Sequence, residues 1–126
     1  MRVLFLLIAV LVGTRALASA SEDIVAARSV IRAQEEAFAR DDAATAYSFA
    51  APAIQSFYRS PEGFMYMVRN GYAPVYRHRS FDFAGVKIVD GKILQDVQIV
   101  DADGVAWDAL YTLEPQADGS LKITAS

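Results

Sequence analysis

The chain has 126 residues, no cysteine, and 12 Lys and Arg against 15 Asp and Glu. That describes one modest domain that is neither a disulfide-stapled scaffold nor strongly basic. Its single histidine, His78, excludes His-rich metal sites and would have to serve any Ser-His-Asp arrangement alone.

Met1-Arg2 is followed by the apolar run Val3 to Val12 and then by small residues ending Ala18-Ser19-Ala20. A charged start, an apolar middle of about ten residues and an A-x-A-like end describe a secretory leader, whereas a membrane span needs about twenty apolar residues. The expected division is therefore residues 1–20 as signal peptide, cleaved after Ala20, and residues 21–126 as a single domain, periplasmic or secreted. Ala16-Leu17-Ala18 offers an earlier cleavage site, and the alternative is a retained anchor. Arg2 and Arg15 leave with the leader, so 10 basic residues face 15 acidic ones, a formal charge of −5. Such a balance argues against nucleic acid, because duplex binding needs a basic face to displace counterions. With no cysteine to carry a lipid, no membrane attachment is expected once the leader is gone. The 106-residue remainder would bury about 65% of its unfolded surface, enough for an ordinary core.

Helices are expected before Tyr72 to Pro74, strands after. Ile24, Ala27, Ile31 and Phe38 recur at helical spacing to about Arg40, and Ser21 with Glu22 and Asp23 supplies a cap and an acidic first turn. Asp41-Asp42 caps a short helix over 43–50 that Pro52 interrupts, and a brief turn includes Ile54 and Phe57. Ser60-Pro61-Glu62 is the clearest start signal in the chain; its helix is expected to leave through Asn70-Gly71 in a left-handed exit. Beyond Pro74 the period becomes two: Phe81/Phe83 and Val86/Ile88, then Asp90-Gly91 as a tight turn, a strand over 92–102, Asp103-Gly104 as a second turn, a strand over 105–114, and Asp118-Gly119 before 121–125. The fold class that follows is α+β, with N-terminal helices packed on a curved antiparallel β-meander.

If Asp103-Gly104 is a two-residue turn, Val100 lies opposite Trp107 and Asp96 opposite Tyr111. Leu94, Val100, Trp107, Tyr111 and Leu113 then share one face, and Ile93, Val97, Ile99, Leu110 and Ala106 the other. Two apolar faces call for a second cover, which leads to an expected homodimer through the outer sheet face. The competing explanation is a one-residue register error that blends the faces.

Gln34, Ala37-Phe38, Asp41 to Ala44, Phe49-Ala50, Pro52, Phe64-Met65, Met67-Val68, Tyr72 and Pro74 to Tyr76 together form a pattern that resembles the bacterial domain-of-unknown-function family numbered 4864, over Ile24 to Ile123. The order of helices and meander is also similar to the cone-shaped fold of nuclear transport factor 2 and ketosteroid isomerase. The first family lends no activity, and the second is a likeness of fold, which hosts many functions. The family resemblance implies a last strand that continues further than this one, leaving the sheet edge weaker here.

No motif of an established chemistry is present. Asp101-Ala102-Asp103-Gly104 offers too few oxygens for a calcium site and reads as a turn; no metal and no cofactor is expected. Met65 and Met67 fall on different sides of their helix and read as packing. Arg77-His78-Arg79, with Arg59 and Arg69, is the one basic concentration, able to hold an anion or simply a solvated strand entry. The aromatic set Tyr58, Phe64, Tyr66, Tyr72, Tyr76, Phe81, Phe83, Trp107 and Tyr111 either lines a pocket at the mouth of a cone or fills the core. The candidate ligand-binding residues are thus Tyr58, Tyr66, Tyr72, Tyr76, Arg77, His78, Arg79, Trp107 and Tyr111. The leading expectation is a non-catalytic domain that binds a small apolar or anionic molecule or a protein partner. The alternative is a proton-transfer isomerase or dehydratase with Asp96 or His78 as base, Asp96 working beside Tyr111; Asp96 and Asp108 fall on opposite faces in that register, and the plainer reading of each is a surface acid on a wet rim.

Overall fold

The computed structural model describes the backbone of residues 2–125 and the side chains of residues 19–124. In chain order the elements are α1 (Arg2–Ala39), α2 (Ala43–Ser48), α3 (Pro52–Tyr58), α4 (Pro61–Gly71), α5 (Ala73–Tyr76), β1 (His78–Val89), β2 (Lys92–Asp101), β3 (Ala106–Pro115) and β4 (Leu121–Ala125). The strands form one antiparallel sheet in the order β1-β2-β3-β4, open rather than closed into a barrel. The α+β reading stands: helices lie on one face of a meander.

Helix α1 does not start at the Ser21 cap. Residues 2–20 are rich in Leu, Val and Ala, so the helix propagates through Ser21 to Asp23 without a break. Its buried stripe is Ala27, Ile31, Gln34 and Phe38, with Ala37 beside it. The helix ends where Asp41 takes a left-handed conformation (φ 56°) and the Asp42 amide bonds back to the Ala37 carbonyl at 2.8 Å. Asp42 then caps α2, its carboxylate accepting the Thr45 amide at 3.1 Å. Pro52 opens α3 instead of merely ending its predecessor, since a first-turn proline forfeits no helical hydrogen bond. Ser60 caps α4 by accepting the Gly63 amide at 3.0 Å. The left-handed exit expected at Gly71 is absent: the helix runs through Gly71, is capped by Tyr72 and passes straight into α5.

Asp90-Gly91 behaves as read, both residues at positive φ (51° and 78°), and Val89 pairs with Lys92. The second turn does not. The Asp101 amide donates to the Val105 carbonyl at 2.8 Å, closing a three-residue loop Ala102-Asp103-Gly104 in which only Gly104 has positive φ (83°). Asp101 stabilises that loop, its carboxylate accepting the amides of Asp103 and Val105, each at 2.9 Å. One extra loop residue moves the pairing by one: Ile99 lies opposite Trp107, Asp96 opposite Leu110, and Tyr111 opposite Gln95. Because a slip of one residue exchanges the faces, the blended faces resolve. The inner face carries Ile93, Gln95, Val97 and Ile99 against Leu113, Tyr111, Ala109 and Trp107, while the outer face carries Asp82, Lys87, Asp96, Gln98, Asp108 and Thr112 among a few apolar residues. The outer face is of the mixed, wet kind, and the reason for a second cover lapses with the register that suggested it.

The core is a continuous layer between α1, α2 and α4 and the inner sheet face, centred on Phe38, Ile31, Met65, Tyr111, Leu113 and Val97. Strand β4 anchors the helical layer, since the Ile123 amide and carbonyl bond Phe49 and Ala51 at 2.9 and 2.8 Å. Two irregularities shape β1: Ala84 and Gly85 together face Asp96, and Arg79 is an extra residue between His78 and Ser80. The second turns His78 inward, beside Phe81, at 5.1 Å between ring centroids.

Candidate functional site

Arg77, His78 and Arg79 diverge. Arg77 bonds the Phe38 carbonyl at 2.8 Å and Asp41 at 3.0 Å and lies over the Tyr76 ring at 3.9 Å. Tyr76 donates its hydroxyl to the same Asp41, which Arg69 approaches at 3.6 Å. Arg79 turns the other way and braces the β2–β3 loop through the Ala102 carbonyl at 3.1 Å. His78 points inward, with Nδ1 at 2.9 Å from the Pro74 carbonyl and Nε2 at 2.5 Å from a Glu35 oxygen. A carbonyl only accepts, so the contact with Pro74 is a donation from Nδ1–H, and Nε2 faces Glu35. Arg32 bonds the other Glu35 oxygen and lies over the rings of Phe81 and Phe83. Each side chain of the sequence triplet thus has its own partners, and the three do not converge on one anion.

The candidate acids separate as well. Asp96 and Asp108 both lie on the outer face and are exposed, so they do not fall on opposite faces. Asp96 does not meet Tyr111, which is 2% exposed on the inner face. Burial, and then the charge of Glu35, push the Tyr111 phenol above its ordinary value of 10.0.

Two hollows remain on the helical side. A cavity of about 190 Å³ is bounded by Gln34 and Phe38 of α1, Tyr58 of α3, Phe64 and Val68 of α4 and Ile123 of β4. Its lining is apolar apart from Gln34 and the tyrosines. Gln34 is 4% exposed, and its amide nitrogen donates to the Ala46 carbonyl at 3.1 Å, while its carbonyl oxygen has no hydrogen-bond partner among the described residues. A second, shallower groove of about 550 Å³ runs between the α4–α5 junction and the end of β3. Tyr72 and Val75 belong to both. Of the nine residues singled out from sequence, Tyr58 and Tyr72 meet at the cavity, and Tyr72 and Trp107 face each other across the groove. Tyr66 stands 69% exposed on the far side of α4; Tyr76, Arg77, His78 and Arg79 serve the contacts above, and Tyr111 fills the core. Gln34, Phe38, Ile54 and Ile123 were not among them. A polar Gln34 in the stripe Ala27, Ile31, Phe38 is the signal that could have pointed to the cavity.

Four carboxyls are held below their ordinary 3.8 by hydrogen bonds to the charged form: Asp41 foremost by Tyr76, Asp42 by Thr45, Asp101 by Trp107 and Asp118 by Ser120. A depressed folded-state value contributes stability that is present above 3.8 and is lost as pH falls through the folded value. The urea midpoint should therefore drop as pH is lowered from 5 to 3, and Asp101→Asn should flatten that drop while leaving a residual slope from the other three. An unchanged slope in Asp101→Asn would refute the assignment.

Among the described residues no group of three or more His, Asp or Glu gathers to hold a metal ion, and no helix is long and apolar enough to cross a membrane. Helices on an open antiparallel meander, with a small apolar hollow on the helical side, define an α+β domain. The family described as Domain of unknown function (DUF4864) matches residues 20–126, and the chain belongs to that family. Comparison with curated proteins gives no significant match.

Proposed function

We propose that this is a non-catalytic binding domain whose ligand is a small apolar molecule held in the cavity between α1, α3, α4 and β4. The observation that carries the reading is the cavity itself: about 190 Å³, lined by Phe38, Phe64, Val68 and Ile123, with one amide oxygen at its wall. An apolar cavity of about 150 Å³ suffices for a benzene-sized ring. Two observations favour binding over catalysis. Both nitrogens of His78 are engaged, by Pro74 and Glu35, and Asp96 lies exposed on the outer face, where it borders a separate hollow of about 320 Å³ with Lys87, Leu94 and Leu110 and, among the described residues, no tyrosine. The separate partners of Arg77, His78 and Arg79 favour an apolar ligand over an anionic one. The charged start, apolar run and Ala18-Ser19-Ala20 end support export to the periplasm or exterior, and the family match beginning at residue 20 agrees with a boundary there.

Toluene is a suitable probe. Titration followed by amide shifts should move Gln34, Ile54, Tyr58 and Val68 together and saturably, and Ile54→Phe, which fills the cavity, should abolish the response while keeping the fold. Shifts that persist in Ile54→Phe would reject the site.

A further inference from the structure

Gln34 is the polar member of the buried stripe of α1, at 4% exposure, and its side-chain amide cannot turn over. The nitrogen donates to the Ala46 carbonyl at 3.1 Å, whereas the reversed amide would set oxygen against oxygen. The orientation is therefore fixed, and the oxygen is the end left over. It meets no donor among the described residues. A buried acceptor without a donor is costly, and among those residues no side-chain nitrogen or oxygen is both fully buried and unpartnered. The Gln34 oxygen thus keeps accessible surface, and the cavity of about 190 Å³ is the space that Gln34 lines. Much of the remaining wall is aromatic. Phe64 stacks on Phe38 with ring centroids 6.1 Å apart and meets Tyr58 edge-on at 5.9 Å. Among the described residues no Asp, Glu, Lys, Arg or His lines this space.

We propose that Gln34 selects the occupant: a neutral aromatic molecule carrying one hydroxyl or N–H, with its ring among Phe38, Tyr58 and Phe64 and its donor on the Gln34 oxygen. This choice rests on the reading of the cavity as a ligand site and names the class of ligand. A carbonyl oxygen only accepts, so the ligand donates. A cation would leave its hydration shell for a wall with no carboxylate, and an anion would meet the negative end of the amide dipole, so the donor is neutral. Ring faces and edges at the wall favour a ring in the space between them. A pure hydrocarbon of the same size fits equally well but takes the Gln34 oxygen out of water and gives it nothing in return.

Phenol and toluene provide the test, being nearly alike in size and shape, with a hydroxyl in one where the other has a methyl group. In a wholly apolar hollow phenol would bind the more weakly, since its hydroxyl gives up bonds to water and receives none back. Titrations of the full chain followed by amide shifts are expected to give phenol at least the affinity of toluene. Phenol should also shift the Gln34 side-chain amide signals further than toluene does. Gln34→Met removes the acceptor at nearly constant shape and should lower the ratio of phenol to toluene affinity about tenfold. The Ala46 carbonyl keeps the Phe49 amide at 3.4 Å in that variant, so the fold is expected to survive; if it does not, the wild-type pair alone decides. Toluene binding with phenol tenfold weaker in the wild type, or an unchanged ratio in Gln34→Met, would overturn the proposal and leave the cavity standing as a hydrocarbon site. Failure of both molecules to bind would remove the ligand site and this selectivity together.

Discussion

Tyr111→Ala is expected to destabilise the domain by about 3–5 kcal/mol, a loss comparable with the whole stability of many small domains. Tyr111 is the largest fully buried side chain, 2% exposed, and stands at the middle of the inner face. It packs edge-on against Phe81, with ring centroids 6.2 Å apart, and so ties β3 to β1 across β2. Removing the ring leaves a cavity that rigid strands on both sides cannot collapse to fill. Tyr111→Phe keeps the ring and loses only the hydroxyl, and should cost less than about 1.5 kcal/mol. Urea unfolding followed by circular dichroism measures both. A loss below about 1 kcal/mol for Tyr111→Ala would mean that Tyr111 does not face the core, and the register of β2 and β3 would fall with it.

Gln95→Leu should cost about 2–3 kcal/mol although it places a more apolar side chain on a buried face. Gln95 is 0% exposed. Its amide nitrogen donates to the Asp96 carbonyl at 2.7 Å and to the Ala84 and Gly85 carbonyls at 3.3 Å, and its oxygen accepts from Arg28 at 2.8 Å. The bulge in β1 creates the need: two residues opposite one leave carbonyls without ladder partners, and Gln95 reaches across to satisfy them. Leucine would remove Gln95's bonds to those carbonyls and leave Arg28 only its 3.4 Å bond to the Ala84 carbonyl. Urea unfolding gives the energy, and faster amide exchange at Ala84 to Val86 than elsewhere in β1 would locate it. A neutral or stabilising Gln95→Leu would show that the bulge needs no polar support.

These two residues also mark where the amino-acid sequence was legible. Helical spacing of Ala27, Ile31 and Phe38, the caps Asp42 and Ser60, and the Asp90-Gly91 turn each depend on a few neighbouring residues, and each places its element correctly. The register of β2 and β3 depends on loop length, and Asp103-Gly104 looks the same whether the loop has two residues or three. Only the Asp101 side chain, folding back on the amides of Asp103 and Val105, selects three. That single residue decides whether Asp96 or Gln95 faces Tyr111, and so whether an acid and a phenol meet in the interior. Gln95 itself breaks the apolar alternation, and its role depends on a bulge in another strand that no local pattern announces. Likewise His78 turns inward because Arg79 is inserted in β1, a long-range irregularity; read locally, three adjacent cations suggested one site. The cavity was legible only through Tyr58, Phe64 and Tyr72, because Gln34, Phe38 and Ile123 come together from α1 and β4 at the two ends of the chain.

The most direct test of the binding reading is intermolecular nuclear Overhauser contact between toluene and the protein. Cross-peaks from the ring protons to the methyl groups of Ile54, Val68 and Ile123 are expected, and none to Leu110 on the outer sheet face. Cross-peaks to Leu110 and Trp107 alone, or none at all at saturating toluene, would contradict a helix-lined ligand site.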